Sequence, residues 1–460
     1  MDLRSDAVVL FGATGDLAAK KIYPALYELT RRGRLDVPVI GVARSRWDDE
    51  QLVTAARKSA LEVHGRVDDE VFDRLAGNLT MISGDYADPD TYRRLAERLA
   101  GAERPLFYLA IPPAVFGAVV DGLAASGLAA RGRVVVEKPF GRDLPSSHEL
   151  NGSLRAAFAS ERIFRIDHYL GKEAVEGLRV FRFANRLFEP LWNAEHIANV
   201  QITLAEGFGT EGRAGFYDRM GATRDVLQNH MLQVVALLAM EPPAEAGDDA
   251  FREEEVRVLR RVAPLSPEST VRGQYAGYRD EPGVAPDSNT ETFVATRLRV
   301  DSPRWDGVPF YLRTGKLMPG TATEVVVEFK APRQNLVPTV DGSPTPPNLL
   351  RFRLGRGDGI TLSIQAKDPG AEVASRPVEL PVDFGAALGP RREAYERLLD
   401  DALDGRHLRF AREEAIEQEW RIVEPVLDLA EPVLSYAKGS WGPAEADALA
   451  GGGWHAPTLG

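Results

Sequence analysis

Apolar and polar positions change rhythm about a third of the way along the chain, and the change predicts two kinds of architecture. Up to Val136, short apolar runs alternate with amphipathic stretches: Ala7–Phe11, a helical pattern reaching Arg32, Val37–Val42, a helix-rich segment, Leu79–Ser83, a helical pattern over Thr91–Ala100, Leu106–Ile111 and Val134–Val136. Strand, helix, strand in that order predicts a parallel sheet with crossover helices. From about Asn199 the alternation runs over longer stretches, as at 290–300, 324–329 and 349–354. That pattern fits an antiparallel sheet with one wetter face. Pro and Gly mark loops at 281–288 and 337–348, and helix returns at 391–403 and 411–429. The boundary between the two patterns falls near 165–175, no internal repeat is visible, and residues 451–460 read as a loose tail whose Trp454 either docks or does not.

Composition narrows the class. At 460 residues the chain is long enough for two domains, and 44% hydrophobic with 27% charged residues is ordinary for a globular protein. A net charge of -12 repels polyanions, which argues against nucleic acid and anionic membrane as partners and requires any bound anion to meet a local basic cluster. With no cysteine, thiolate chemistry and disulfides are excluded, which suits a reducing compartment. No apolar run reaches the roughly 18 residues of a transmembrane helix, and the opening residues lack a secretory pattern, so a cytoplasmic location is expected.

The first candidate site is Gly12-Ala13-Thr14-Gly15-Asp16-Leu17, a turn between an apolar strand and a helix start. Backbone N–H groups there suit a pyrophosphate, although a Gly-rich turn after a strand is also common without a ligand. The next strand runs into Arg44-Ser45-Arg46, where an NAD site usually carries an acid for the ribose. A guanidinium instead suits the 2'-phosphate of NADP; the alternative is an exposed arginine at a strand end. Asp85 and Tyr86 follow the third strand and would edge the adenine pocket.

Three further stretches concentrate reactive side chains. Lys138 ends an apolar run and precedes Pro139, which restricts the lysine backbone and permits a cis bond; otherwise it is a lysine capping a strand. In 165–173, if helical or a helix start, His168 and Lys172 are four apart on one face with Tyr169 three from Lys172, three donors within reach of one phosphate or, alternatively, a solvated helix surface. In 224–231, His230 lies beside the apolar stripe of Leu227 and Val234 with Asp225 five residues upstream. A histidine so placed is either a satisfied core residue or, with a carboxylate steadying its imidazolium, a general base for alcohol oxidation.

Together these stretches resemble the glucose-6-phosphate dehydrogenase family: GATGDLA at 12–18, VARS at 42–45, EKPFGRDL at 137–144, RIDHYLGKE at 165–173, EGFGTEGR at 206–213, RDVLQNH at 224–230, WDGVPF at 305–310, RTGK at 313–316 and GSWGPAEAD at 439–447. The likeness covers nearly the whole chain, and the nine-residue RIDHYLGKE run is the most specific part. It implies an α/β plus α+β fold: an NADP-binding Rossmann-like domain over 1–170, an α+β substrate and dimerisation domain with a mainly antiparallel sheet over 171–450, and a flexible tail over 451–460. It also implies a homodimer or homotetramer and oxidation of glucose 6-phosphate to 6-phospho-glucono-1,5-lactone with NADP, the first step of the oxidative pentose phosphate pathway, without a metal. By resemblance His230 is the base and Asp225 its partner or a sugar contact. His168, Tyr169 and Lys172 bind the 6-phosphate, Glu206 and Lys316 reach sugar hydroxyls, Lys138 lies between substrate and cofactor, and Arg44 reads the 2'-phosphate. Two positions depart from the family: Thr321 stands where a basic residue is common, and Arg351-Phe352-Arg353-Leu354 replaces Arg-x-Gln-Pro. Alternatives in view are a relative acting on another hexose 6-phosphate or using both NAD and NADP, and a non-catalytic NADPH-sensing or scaffold protein.

Overall fold

The structure, a computed structural model, describes residues 4–210, 212–370 and 372–459; Glu211 of the 206–213 motif and Gly460 of the tail lie outside them. It divides into two compact units. The first comprises the chain up to Glu173 together with Ala244–Arg252 and Arg392–Glu417; the second comprises Ala174–Pro243, Glu253–Arg391 and the chain from Gln418.

The first unit is built on six parallel strands, β1 (Ala7–Phe11), β2 (Val39–Ala43), β3 (Leu79–Ser83), β4 (Pro105–Leu109), β5 (Arg133–Glu137) and β6 (Ile163–Ile166), in the order β3-β2-β1-β4-β5-β6. The strand order reverses at β1/β4, the place where open α/β sheets bind ligands beyond their strand ends. Every residue of β1, β2 and β4 is buried, as expected of central strands covered on both faces by crossover helices. The helix Asp49–His64 begins on Asp48, whose side chain and that of Gln51 form a reciprocal capping box, and ends on Gly65. A late segment completes this core: Leu398, Leu399, Leu403 and Phe410 pack with Val8, Leu26 and Phe164. The segment is tied down further where Ser5 N–H bonds Leu403 and Ala411 pairs with Arg165.

The second unit holds nine strands: β7 (Ile197–Ala205), β8 (Thr270–Tyr275), β9 (Phe293–Leu298), β10 (Phe310–Gly315), β11 (Ala322–Phe329), β12 (Leu349–Arg353), β13 (Gly359–Lys367), β14 (Ser375–Asp383) and β15 (Leu434–Tyr436). Their order is β14-β13-β12-β11-β7-β10-β9-β8-β15, antiparallel except at β7/β10 and β8/β15. One entirely buried helix, Leu232–Ala239, ends against three side chains. Arg182 donates to the Leu237 carbonyl at 2.9 Å, and the indoles of Trp192 and Trp305 donate to those of Leu238 and Ala239 at 2.8 Å each, so its orphan carbonyls are satisfied without water.

Over its described residues the tail has no regular secondary structure, and its contacts run along β7, β10, β11 and β12. Gln201 bonds both Gly453 and His455, Thr458 N–H bonds Glu324, and Trp454 lies over Arg313 at 4.5 Å. Helix expected over 411–429 stops at Val423, because Pro425 opens a separate short turn over Glu424–Val426. Among the described residues no helix is long and apolar enough to cross a membrane.

Candidate active site

The turn after β1 is shaped for a close approach of backbone. Gly12 has φ +82°, and a Cβ placed on it would lie 2.1 Å from the Ala110 carbonyl oxygen at the end of β4. Only glycine fits. Its N–H bonds Val42 at 2.9 Å and the Tyr86 hydroxyl at 3.0 Å, and Gly15 N–H closes the turn on Gly12 at 2.9 Å. Ala13 is buried and Leu17 half-buried, while a π-helical turn over Ala18–Ile22 leads into the helix Tyr23–Arg31.

Around this turn gather the side chains expected from the sequence. Thr14 and Ser45 hydroxyls are 3.0 Å apart, joining the first turn to the end of β2. Arg44, next to Ser45, is exposed, and its charge reaches Tyr86. Asp16 pairs with Lys20 at 3.1 Å on the open surface. Asp85 spends one oxygen on its own turn, accepting Ala87 N–H at 2.9 Å, and it is Tyr86 that faces the glycine turn.

Lys138 follows β5, and the Lys138–Pro139 bond is cis. Beside it lies a cluster that sequence reasoning missed. Glu137 is buried, accepts from the Tyr108 hydroxyl at 2.5 Å and also bonds Tyr395. Burial pushes its carboxyl up to about 7, against the hydrogen bonds of the two tyrosines and the charge of Lys138. The charge of Glu137, after burial, holds both tyrosine hydroxyls protonated. Tyr395 also stacks on His168, ring centroids 6.4 Å apart and planes 16° apart.

The 165–173 stretch is not a helix. β6 ends at Ile166, a turn covers 168–171, and helix begins at Glu173. The i,i+4 argument for His168 and Lys172 therefore falls, because hydrogen bonds 170→167, 171→168 and 172→169 wind the segment into successive tight turns. The turns still bring the three donors together: His168 packs edge-on to Tyr169 at 5.1 Å, and the Lys172 ammonium stands 3.5 Å above the Tyr169 ring. Asp167 is fully buried behind them and accepts Tyr169 N–H at 2.9 Å. Burial raises its carboxyl, opposed by interactions with His168, Lys138 and Lys172, so three basic side chains face one buried acid.

In the second unit Asp225 and His230 share a π-helical stretch, Thr223–Met231. Five residues along an α-helix turn the face by about 140°. In the i→i+5 arrangement the two are instead one repeat apart, and such stretches cluster at functional sites. Glu291 holds the start of the stretch, accepting Thr223 N–H at 2.9 Å on its side chain and Ala222 N–H at 2.9 Å on its carbonyl. Gly221 makes room, since a Cβ there would lie 2.6 Å from the Glu291 carboxylate. His230 is buried, its N–H bonding Asn229 at 2.8 Å.

Lys316 follows β10, which pairs along β9 and packs beside the same stretch. Its ammonium pairs with Glu206 and lies 3.9 Å from Asp225, above the rings of Tyr217 at 5.1 Å and Phe208 at 5.4 Å. Tyr217, buried and faced by Asp225, Glu206 and Glu291, keeps its hydroxyl protonated. Thr321, at the position of the family's basic residue, accepts Gly207 N–H at 3.1 Å, and Arg351 pairs with Glu324 at 2.8 Å.

A glycine-cradled turn at the switch point of a parallel sheet, an arginine where an acid would select NAD, and a buried histidine with a carboxylate one repeat away define a nicotinamide-dinucleotide-dependent dehydrogenase. Two family models match, glucose-6-phosphate dehydrogenase NAD binding domain over 9–177 and glucose-6-phosphate dehydrogenase C-terminal domain over 179–454. The chain belongs to the glucose-6-phosphate dehydrogenase family. Glucose-6-phosphate 1-dehydrogenase 1 of Mycobacterium tuberculosis is 46% identical over 458 residues, 99% of this chain and 97% of the relative. The Bacillus subtilis enzyme is 40% identical over 475, 96% of each. A crystal structure of the Mycobacterium avium enzyme aligns with TM-score 0.89 at 45% identity over 99% of this chain and 100% of that one. Glucose-6-phosphate dehydrogenase in complex with its substrate glucose-6-phosphate aligns with TM-score 0.92 at 33% identity over the full length of both.

Proposed function

We propose how the residues above divide the work of one reaction. The chain has glucose-6-phosphate 1-dehydrogenase activity, oxidising the C1 hydroxyl of glucose 6-phosphate, and its cofactor is NADP. When bound, NADP accepts the hydride that leaves C1. The glycine cradle fits a dinucleotide because its backbone is bare where a pyrophosphate would approach. Arg44 and Ser45 hold the 2'-phosphate, Gly12 to Leu17 the pyrophosphate, and Asp85 and Tyr86 the adenine edge. Lys138 stands between sugar and nicotinamide.

His168, Tyr169 and Lys172 grip the 6-phosphate, so that binding energy remote from C1 fixes the orientation of the sugar. Glu206 and Lys316 hold sugar hydroxyls. His230 takes the proton from the C1 hydroxyl as the C–H bond yields hydride, leaving a C1 carbonyl in the lactone; Asp225 steadies the charged imidazole or contacts the sugar. The observation that carries this reading is the buried π-helical stretch that puts Asp225 and His230 one repeat apart beside Lys316. His230→Asn should lower kcat by roughly 10²- to 10⁴-fold while sugar-phosphate binding survives. Unchanged turnover would remove His230 from the base role.

The protein works as a homodimer or a dimer of dimers in this reading. Supporting it, β13 and β14 pair Ile360 with Val382, Leu362 with Leu380 and Ile364 with Val378, an apolar face whose Leu380 and Val382 stay 49% and 47% exposed.

A further inference from the structure

The chain leaves Lys316 through a residue of positive φ. Leu317 has φ +48°, one of two non-glycine residues with positive φ among those described, and an L side chain there carries backbone strain. Strain of this kind persists only where the surroundings impose it. Here they do so on every side. Lys316 N–H donates to the Thr292 carbonyl at 2.9 Å, Leu317 N–H to Phe208 at 3.1 Å, Met318 N–H to Glu206 at 3.0 Å, and Gly439 N–H to the Leu317 carbonyl at 2.7 Å.

The last group of the strained link, the Lys316 carbonyl, is taken by a side chain. The Tyr436 hydroxyl donates to it at 2.7 Å and lies 3.0 Å from the Thr292 hydroxyl, which accepts Tyr275 N–H at 3.0 Å. Tyr275 N–H, Thr292, Tyr436 and the Lys316 carbonyl thus form one buried chain, with Thr292 and Tyr436 at 0% and 3% exposure. A phenylalanine would fill the same core among Tyr275 and Phe293. The hydroxyl, costly to bury unless paired, is nearest the Lys316 carbonyl, with the Thr292 carbonyl farther off at 3.2 Å, and Lys316 is the lysine whose ammonium meets Glu206 and Asp225.

We propose that Tyr436 is a positioning residue for the substrate lysine: by fixing the Lys316–Leu317 peptide in its strained conformation it sets the direction of the Lys316 ammonium. This rests on the reading of Lys316 as a sugar-hydroxyl contact. The peptide plane fixes the Cα–Cβ direction of Lys316, and the strain of Leu317 gives the peptide another conformation to relax into once the hydroxyl is gone.

The test compares full-length wild type with Tyr436→Phe, Thr292→Val and Lys316→Met by initial rates and thermal midpoint. Tyr436→Phe should raise KM for glucose 6-phosphate roughly three- to tenfold, the weight of one buried hydrogen bond, with KM for NADP within about twofold. Thr292→Val, which removes the hydroxyl behind Tyr436, should act in the same direction, and it decides the matter if Tyr436→Phe fails to fold. Lys316→Met should raise the same KM further. If Lys316→Met raises it while both other variants lower only the midpoint or kcat, Tyr436 is merely structural and the proposal is overturned. If Lys316→Met leaves KM for glucose 6-phosphate unchanged, the reading of Lys316 falls and the proposal with it.

Discussion

Glu137, one buried side chain, makes stability depend on pH. Its carboxyl titrates near 4.5 in the unfolded chain and, pushed up by burial, at about 7 in the folded one. Between those values the native protein keeps a proton that the unfolded chain has lost. Its contribution to stability is therefore complete below about pH 4.5 and is lost as pH rises through about 7. Glu137→Gln, which stays neutral throughout, removes this dependence. The thermal midpoint of the variant minus that of wild type should become more positive between pH 5 and pH 8; parallel profiles would contradict the burial of an ionisable group there. No sequence pattern announces this cluster, because Tyr108 sits in an apolar run and Tyr395 in an ordinary amphipathic helix, far apart along the chain. Gly12, Lys138, His168 and His230 stand out in the sequence for the opposite reason: each lies in a short run with other residues of the proposed site. Tyr436 belongs with Tyr395, since its role depends on a carbonyl far from it in sequence.

Strands were read more surely than turns. Ala7–Phe11 and Leu79–Ser83 have the bounds expected from their apolar runs, the first a fully buried central strand and the second an edge strand with two half-buried residues. The two π-helical stretches could not be read, because hydrophobic spacing does not distinguish one extra residue per turn over so short a length. The turns at 168–171 were invisible for a related reason, as His168 and Lys172 satisfy helical spacing by accident. β14 carries a prediction of its own. Pro377 and Pro381 remove donors from this outermost strand, which discourages pairing along its edge and leaves its apolar face as the surface to cover. Leu380→Asp with Val382→Asp should convert a dimer to monomers in light scattering, with a thermal midpoint lowered by the lost subunit contact, since both side chains are half exposed in a single chain. An unchanged mass would place the assembly elsewhere.

Across the whole molecule, net charge and local charge pull in opposite directions. A chain of net charge -12 nevertheless sets Lys138 and Lys172 near the buried Asp167, a local basic cluster of the kind the proposed grip on a phosphate needs. The change of rhythm near residue 170 is a change of architecture, from a parallel sheet to a largely antiparallel one. A single cut, however, cannot express that 392–417 return to pack in the first core, because periodicity reports which face of a helix is apolar and not what covers it. The initial rate of nicotinamide reduction with glucose 6-phosphate, measured with NADP and then with NAD, decides whether the chain performs this oxidation with that cofactor. Rapid turnover with a clear preference for NADP is the predicted result; no reduction with either cofactor, or turnover with NAD alone, would contradict it.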